Sequence, residues 1–368
     1  MLKRTPLFET HQQAGAKLVD FGGWEMPLHY GSQIEEHDAV RTSCGMFDAS
    51  HMTVVDVIGD DARAFLSVLL ANDIDRLGEH GQALYTCMLN HEGGVVDDLI
   101  VYFRGEQNYR LVVNASTREQ DLAWMQACVG DFEVELNEQP DIALIAVQGP
   151  KAKEVFAKVA EAHNLHGLFD KVAELKRFSA CEHNSVYVGR TGYTGEEGYE
   201  ILLPAEHAAM TWAAFAGQGA VPCGLGCRDT LRIEAGLNLY GTDMDQTVTP
   251  LEAGLAWTVN FSRADRAFNG RAALEKQLET TELPMWCGVV LAGKGVIRGG
   301  YSVSTSGGAS GVITSGTFSP TLKRAVGFVR ISPTDETECV VEIRGRQVEA
   351  RLRPLPFVRN GTIRVDLS

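Results

Sequence analysis

Residues 84–114, with the sequence LYTCMLNHEGGVVDDLIVYFRGEQNYRLVVN, contain three strand-like runs in close succession. The runs 84–90, 95–103 and 109–114 are rich in β-branched and aromatic residues, and short polar turns separate them. Turns of this length predict antiparallel hairpins, because parallel strands need a crossover of a dozen or more residues.

Outward from this stretch, strand-like runs alternate with segments of helical periodicity. The predicted helices are 60–71, 117–129, 151–162, 205–216 and 228–235, and the further predicted strands are 52–58, 142–148, 185–188, 199–203 and 255–259. Hairpins separated by helices indicate an α+β fold rather than a doubly wound parallel sheet.

The C-terminal part of the chain has a different pattern. It contains strand signals and turns but no strong helix, with predicted strands at 287–291, 301–305, 311–315, 325–330, 339–343 and 347–352. This pattern predicts an all-β C-terminal domain, either a small barrel or a sandwich.

Composition narrows the possible functions. The chain has 368 residues, enough for about two or three domains. It carries 33 Lys and Arg against 48 Asp and Glu, a net charge of −15. This acidic balance argues against general nucleic-acid binding and against docking on anionic lipid.

The N-terminus and the cysteines indicate the location of the protein. The first residues lack an apolar core of signal-peptide length, so we expect a cytoplasmic protein. The eight cysteines are scattered, so we expect reduced thiols and no metal site.

The glycine-rich segment 189–200, GRTGYTGEEGYE, is the first candidate for a ligand site. It is neither a Walker A loop nor a dinucleotide fingerprint, because no Gly-Lys-Ser/Thr follows and its glycines precede a strand-like run. It could be a simple hairpin turn. It could also bind a polar ligand, since a tyrosine can stack on a flat heterocycle and a carboxylate can accept paired N–H donors.

Adjacent carboxylates, Asp97 and Asp98, lie inside an apolar strand-like run. Alternation along a strand puts them on opposite faces, and the spacing does not choose between them. A carboxylate that faces a pocket loses solvation, and it then needs a partner or its pKa rises, as is typical of a functional acid. Alternatively, both carboxylates lie at the start of a strand and are exposed to solvent.

Arg228 lies near the start of a helix that is entered through glycines. A helix N-terminus favours anions, so the arginine should be held by something acidic, either an internal ion pair or a ligand carboxylate. The histidines, including His29, His37 and His51, show neither zinc-ligand spacing nor a nucleophile arrangement.

Nine short motifs are distributed along almost the whole chain, from residue 5 to residue 361. They are TPL at 5–7, FGGWEMPLHY at 21–30, GMFDASHM at 45–52, DDLIV at 97–101, VQGP at 147–150, GYTGE at 192–196, CRDTLR at 227–232, GVITSGTFSP at 311–320 and PFVRNG at 356–361. In this order they resemble the T-protein family of the glycine cleavage system, whose members are aminomethyltransferases.

The resemblance implies an α+β protein in which three domains form a cloverleaf around a central folate channel. Two α+β domains would be discontinuous, at 1–51 with 137–220 and at 52–136 with 221–275. An all-β, jelly-roll-like domain would occupy 276–368.

The resemblance also implies a reaction. The methylene group of aminomethyl-lipoyl H protein passes to tetrahydrofolate, which yields 5,10-methylenetetrahydrofolate, ammonia and dihydrolipoyl H protein. Tetrahydrofolate would be the co-substrate, no metal would be needed, and the P and L proteins would be functional partners. The alternative is a folate-binding protein in iron–sulfur maintenance that carries out no transfer, although the signature of that class is absent here.

The resemblance also implies which residues form the site. Asp98 would be the catalytic carboxylate, with Asp97 as the alternative. The residues expected to bind folate are Asp98, Asn114, Glu200 and Arg228, with Met52, Tyr85, Val112, Tyr193 and Trp257 as apolar and aromatic walls.

Overall fold

The computed structural model describes residues 2–279 and 282–367. The chain forms two compact units, each assembled from several stretches of sequence. The first comprises Met1–Ser67, Ile74–Tyr85 and Leu99–Arg228, and the second comprises Val68–Asp73, Thr86–Asp98 and Asp229–Ser368. The boundaries of the three predicted domains stay a prediction.

Helices are concentrated in the first three quarters of the chain. They are α1 (Phe8–Gln13), α2 (Gln33–Thr42), α3 (Ala62–Leu69), α4 (Arg118–Cys128), α5 (Ala152–Ala162), α6 (His166–Glu174), α7 (Ala208–Gly217), α8 (Leu225–Glu234) and α9 (Arg271–Leu278). Short 3₁₀ helices occur at Ile74–Arg76, Ala205–His207 and Ala256–Thr258. No helix of the described residues has the length and apolar character that crossing a membrane requires.

Strands occur along the whole chain. Up to residue 222 they are β1 (Lys17–Phe21), β2 (Trp24–His29), β3 (Gly45–Asp48), β4 (Thr53–Ile58), β5 (Ala83–Leu89), β6 (Val95–Gly105), β7 (Asn108–Val113), β8 (Glu135–Glu138), β9 (Ile142–Gln148), β10 (Ala180–His183), β11 (Val186–Gly189), β12 (Gly198–Pro204) and β13 (Val221–Pro222). Beyond it they are β14 (Met285–Leu291), β15 (Ser302–Ser304), β16 (Ser310–Ser319), β17 (Arg324–Ile331), β18 (Glu338–Ile343), β19 (Arg346–Arg353), β20 (Val358–Arg359) and β21 (Thr362–Ile363).

A six-stranded sheet with the order β10-β11-β12-β9-β3-β13 forms the centre of the first unit. One apolar cluster includes Phe156 of α5 and Phe215 of α7 together with residues of β9 and β12. A second cluster joins Leu202 of β12 to Tyr102 of β6 and Val112 of β7. Strands β6 and β7 belong to a five-stranded sheet with the order β5-β6-β7-β4-β8. This packing places β12, and the segment that precedes it, beside β6.

The second unit contains a closed barrel with the strand order β14-β17-β16-β15-β18-β19. Its interior is filled by alternate residues of the strands, among them Val289, Ile313, Val329 and Val341. The prediction of an α+β fold with an all-β C-terminal domain is therefore confirmed, and the domain is a barrel.

The strand prediction for 255–259 is wrong. Residues Ala256–Thr258 form a 3₁₀ helix, in which Thr258 N and Oγ1 both donate to Leu255 O, at 2.8 and 2.7 Å. The apolar run satisfies its backbone locally instead of pairing with a strand. At the start of α4 the Thr117 side chain does not cap the helix, because its hydroxyl donates to Asn114 O at 3.0 Å.

Candidate functional site

The glycine-rich segment 189–200 connects β11 to β12, which are antiparallel neighbours, so the hairpin interpretation describes its topology. Gln148 of β9 holds this segment. Its Nε2 donates to Thr191 O at 3.1 Å, and its Oε1 accepts from Thr194 Oγ1 at 2.9 Å. A Cβ at Gly192 would lie 2.0 Å from Gln148 Oε1, so a larger residue at 192 would displace the Gln148 amide.

Arg41 of α2 holds the same segment further along. Its Nη1 donates to Thr194 O at 2.7 Å and to Glu196 Oε1 at 2.6 Å. The Arg41 and Glu196 side chains are 5% and 2% exposed. An ion pair taken out of water is favourable only when its geometry is good and its remaining polar atoms are satisfied. The segment is therefore held in one conformation by buried partners.

Glu200 is a partly buried carboxylate on β12, opposite Gly189 of β11. Thr191 Oγ1 donates to Glu200 Oε2 at 2.5 Å, and the Tyr102 hydroxyl lies 3.1 Å from the same Oγ1. Burial raises the pKa of Glu200, while the hydrogen bond from Thr191 and the charge of Arg228 act in the opposite direction. A carboxylate held in this way can accept two adjacent N–H donors of a ligand.

Arg228 lies in the first turn of α8, with its guanidinium carbon 4.7 Å from the centre of the Tyr193 ring. This distance allows a cation–π contact. Burial and the nearby Arg228 charge lower the pKa of His51 to about 3, against the opposing charge of Asp48, so His51 is neutral at pH 7. Three of the predicted site residues, Tyr193, Glu200 and Arg228, thus interact within the first unit.

The other predicted residues of the first unit lie on β-strands or directly next to them. Met52 and Val112 pack in the cluster that contains Tyr102. Tyr85 lies on β5 and is partly buried, and so is Asn114, which directly follows β7.

The remaining predicted residues belong to the second unit. Asp97 is fully buried on β6, whereas its neighbour Asp98 is only partly buried, as expected for opposite faces of one strand. Burial raises the pKa of the Cys87 thiol, and the charges of Asp98 and Asp97 add to the effect, against the hydrogen bond with Thr258. Trp257 lies on the short helix 256–258 and is 62% exposed.

Some of the matched motifs have a structural role. Thr5 Oγ1 donates to Asp48 Oδ2 at 2.6 Å, and His11 Nε2 lies 2.9 Å from the same oxygen. Tyr30 OH approaches His11 Nδ1 at 2.7 Å. Burial opposes ionisation of Asp48, but its hydrogen bonds with His11, Thr5 and Ser50 N hold its pKa below the usual value. These hydrogen bonds connect the matched motifs at 5–7, 21–30 and 45–52 with one another.

Arg110 of β7 has a structural role, because it binds the Asp56 carboxylate through Nε and Nη2 at 2.7 and 2.8 Å. In the described part of the chain, no three His, Cys, Asp or Glu residues are grouped so that they could hold a metal ion. The eight cysteines form no disulfide.

The fold defines an α+β protein with a C-terminal barrel and a hairpin that buried polar contacts hold in place. Comparisons with known proteins specify the family. The GCVT N-terminal domain matches residues 7–263, and the glycine cleavage T-protein C-terminal barrel domain matches residues 286–359. The chain belongs to the glycine cleavage T-protein family, and the family resemblance seen in the sequence is thereby confirmed.

Relatives support this assignment over the full length. An aminomethyltransferase from Nitrosococcus oceani is 51% identical over 362 residues, which cover 98% of this chain and 96% of the relative. One from Stenotrophomonas maltophilia is 50% identical over 366 residues, covering 98% and 97%. The solved structure of the glycine cleavage system aminomethyltransferase T from Bartonella henselae is 34% identical, with a TM-score of 0.89 and coverage of 99% of this chain and 100% of that one.

Proposed function

We propose that this chain transfers the one-carbon unit of aminomethyl-lipoyl H protein to tetrahydrofolate and releases ammonia and dihydrolipoyl H protein. The chain is an aminomethyltransferase of the glycine cleavage system, and its family implies tetrahydrofolate as co-substrate. The observation that supports folate recognition best is Glu200, a partly buried carboxylate that Thr191 holds beside Arg228.

A pterin ring presents adjacent N–H donors on one edge and flat faces on either side. Glu200 would accept the paired donors, and Asn114 would add a polar contact. Arg228, held over the Tyr193 ring, would balance the negative charge of Glu200. Met52, Tyr85, Val112, Tyr193 and Trp257 would supply the apolar and aromatic surface.

Asp98 is the proposed catalytic carboxylate. The folate nitrogen N5 loses a proton as it bonds to the transferred carbon, and positive charge develops on that carbon as ammonia leaves. A carboxylate can take the proton and stabilise the charge. Asp98 keeps part of its surface accessible, whereas Asp97 is 0% exposed, and this difference favours Asp98.

Lipoylated H protein is the proposed partner, and the P and L proteins would act in the same system. We expect the reaction to take place in the cytoplasm, without nucleic acid or membrane.

A single-turnover assay tests the proposed transfer reaction. Aminomethylated H protein and the enzyme should form 5,10-methylenetetrahydrofolate and ammonia rapidly only when tetrahydrofolate is present. Tight folate binding without ammonia release would instead favour the non-catalytic folate-binding alternative.

Glu200→Ala should weaken tetrahydrofolate binding by about 2 kcal/mol, roughly thirtyfold, because a charged acceptor is lost. Titration calorimetry under reducing conditions measures the change. Glu154→Ala is the matched control, since Glu154 lies on α5 with a side chain 57% exposed. An unchanged dissociation constant for Glu200→Ala would remove this residue from the site.

Binding of H protein should weaken several-fold as salt rises from about 0.03 M to 0.3 M, because screening acts on exposed charges. Residues 282–367 carry 11 Lys and Arg against seven Asp and Glu, although the whole chain is acidic. The C-terminal barrel is therefore the expected basic face. Surface plasmon resonance measures the affinity, with tetrahydrofolate binding as the comparison. Affinity that does not depend on salt would contradict electrostatic docking.

A further inference from the structure

We propose that Thr191 is a positioning residue that orients the Glu200 carboxylate for folate, and that Tyr102 acts through Thr191. This inference rests on the proposed function, since it assumes that Glu200 binds folate. It assigns a role in recognition to two hydroxyl groups outside the predicted site.

The direction of the hydrogen bonds follows from the number of protons. Thr191 has one hydroxyl proton, and the 2.5 Å contact to Glu200 Oε2 takes it. The contact of 3.1 Å between Thr191 Oγ1 and Tyr102 OH must then be donated by Tyr102. The result is a chain of donors from Tyr102 through Thr191 to Glu200, which restricts rotation of the carboxylate. An acceptor fixed before binding loses less conformational entropy when the ligand arrives.

Both hydroxyl groups are held in place by their surroundings. Tyr102 is 1% exposed and packs edge-on against Tyr187, with ring centres 5.4 Å apart. A Cβ at Gly189 would lie 2.7 Å from Tyr102 OH, so a larger residue at 189 would displace the tyrosine hydroxyl. The Thr191 backbone is fixed separately, because its carbonyl accepts from Gln148. A change of the Thr191 side chain should therefore leave the course of the segment intact.

Thr191 also affects the charge of Glu200. Its hydrogen bond favours the ionised carboxylate and so opposes the rise in the Glu200 pKa that burial causes. Two other ionisable groups act here. The charge of Arg228 of α8 lowers the pKa of Glu200. Burial raises the pKa of Tyr102 of β6, and the charge of Glu200 raises it further. Without the Thr191 hydroxyl, Glu200 should take up its proton at a higher pH.

The test compares Thr191→Val with Thr191→Ser in the full-length enzyme. Valine keeps the shape and removes the hydroxyl, whereas serine keeps the hydroxyl. We expect the dissociation constant of tetrahydrofolate, measured by calorimetry, to rise about tenfold in Thr191→Val and to stay within about twofold of wild type in Thr191→Ser. Thr42→Val is the control, because Thr42 is an exposed residue of α2 whose hydroxyl donates within its own helix, to Asp38 O.

Two further measurements separate positioning from a merely structural role. In the Glu200→Ala background, Thr191→Val should cost no further affinity, since coupled residues are not additive. In the wild-type background, Thr191→Val should shift the loss of folate affinity at acid pH to higher pH, and Thr191→Ser should not. Thermal unfolding of each variant reports whether it is folded.

Each outcome decides one claim. Equal tenfold losses for Thr191→Val with and without Glu200 would overturn the positioning role, and so would an unchanged dissociation constant for folded Thr191→Val. If folded wild-type protein fails to bind tetrahydrofolate, or if Glu200→Ala binds it normally, the proposed function of Glu200 fails instead. Tyr102→Phe should weaken folate binding less than Thr191→Val, because Thr191 can still donate to Glu200.

Discussion

Asp98→Asn is expected to slow the transfer step by about a hundredfold or more, the usual contribution of a positioned general acid or base. Asparagine keeps the size of the side chain but cannot take the N5 proton, and it carries no charge to stabilise the positive carbon. Folate affinity should change much less than turnover. Single-turnover formation of 5,10-methylenetetrahydrofolate at saturating tetrahydrofolate measures the rate, and calorimetry measures binding.

Asp97→Asn is the matched control for Asp98→Asn, because the two residues are adjacent on β6 and differ in exposure. A fully buried carboxylate at 97 should matter for stability more than for turnover, so Asp97→Asn should lower the melting temperature and leave the rate of the folded enzyme nearly unchanged. If Asp97→Asn abolishes transfer while Asp98→Asn does not, the catalytic role belongs to Asp97. Wild-type turnover in both variants would exclude this pair from the chemistry.

Many strands of this protein could be predicted from sequence because their signals are local, although the pattern does not indicate β1, β2, β3 or β8. Each of the six barrel strands overlaps a predicted strand, although β16 continues from the predicted 311–315 to Ser319, and β9 coincides with the predicted 142–148. Strand periodicity and turn residues depend on neighbours in sequence, which a single sequence contains.

Helix α2 shows where that reasoning fails. Its buried positions are Glu36, His37, Val40 and Arg41, so its buried face is mostly polar and carries no hydrophobic stripe. Some of the partners that make this burial favourable are far away in sequence. Glu36 accepts from the nearby Tyr30 N at 2.7 Å and from Gly224 N, 188 residues away, at 2.9 Å. Arg41 binds Glu196, 155 residues away. Pattern analysis assumes apolar burial, and it therefore overlooks a helix held by polar contacts.

For the candidate site, too, local signals could be predicted from the sequence and long-range contacts could not. Motif resemblance named Glu200 and Arg228, and the structure shows the two interacting. It could not name Tyr102, which is 89 residues from Thr191 in sequence. It also did not name Thr191, because Thr191 and Glu200 lie nine residues apart in a hairpin whose course the sequence pattern does not give. Gln148 lies in a matched motif, yet only the fold reveals that its amide holds the hairpin that carries Thr191. Long-range polar contacts of this kind have no periodic signal in one sequence.

Glu196→Leu should lower the free energy of unfolding by about 3–5 kcal/mol, because it removes the Glu196 carboxylate from the buried Arg41 guanidinium. The pair is joined at 2.6 Å, and it fixes the hairpin before Glu200, so folate affinity of the folded variant should fall as well. Urea unfolding followed by circular dichroism measures the stability. Lys158→Met is the control, since the Lys158–Glu154 pair has the same 2.6 Å separation but is 51% and 57% exposed, and exposed pairs contribute about 0–1 kcal/mol.

The double variant Arg41→Met/Glu196→Leu distinguishes the cost of an unpaired charge from a loss of packing. Replacing both members of a buried ion pair by apolar groups of similar volume is often close to neutral. We therefore expect the double variant to recover most of the stability that Glu196→Leu loses, whereas its folate affinity should stay low because the contact from Arg41 to Thr194 O is also gone. A double variant as unstable as Glu196→Leu would show that the hairpin depends on the packing of these side chains and not on their charges.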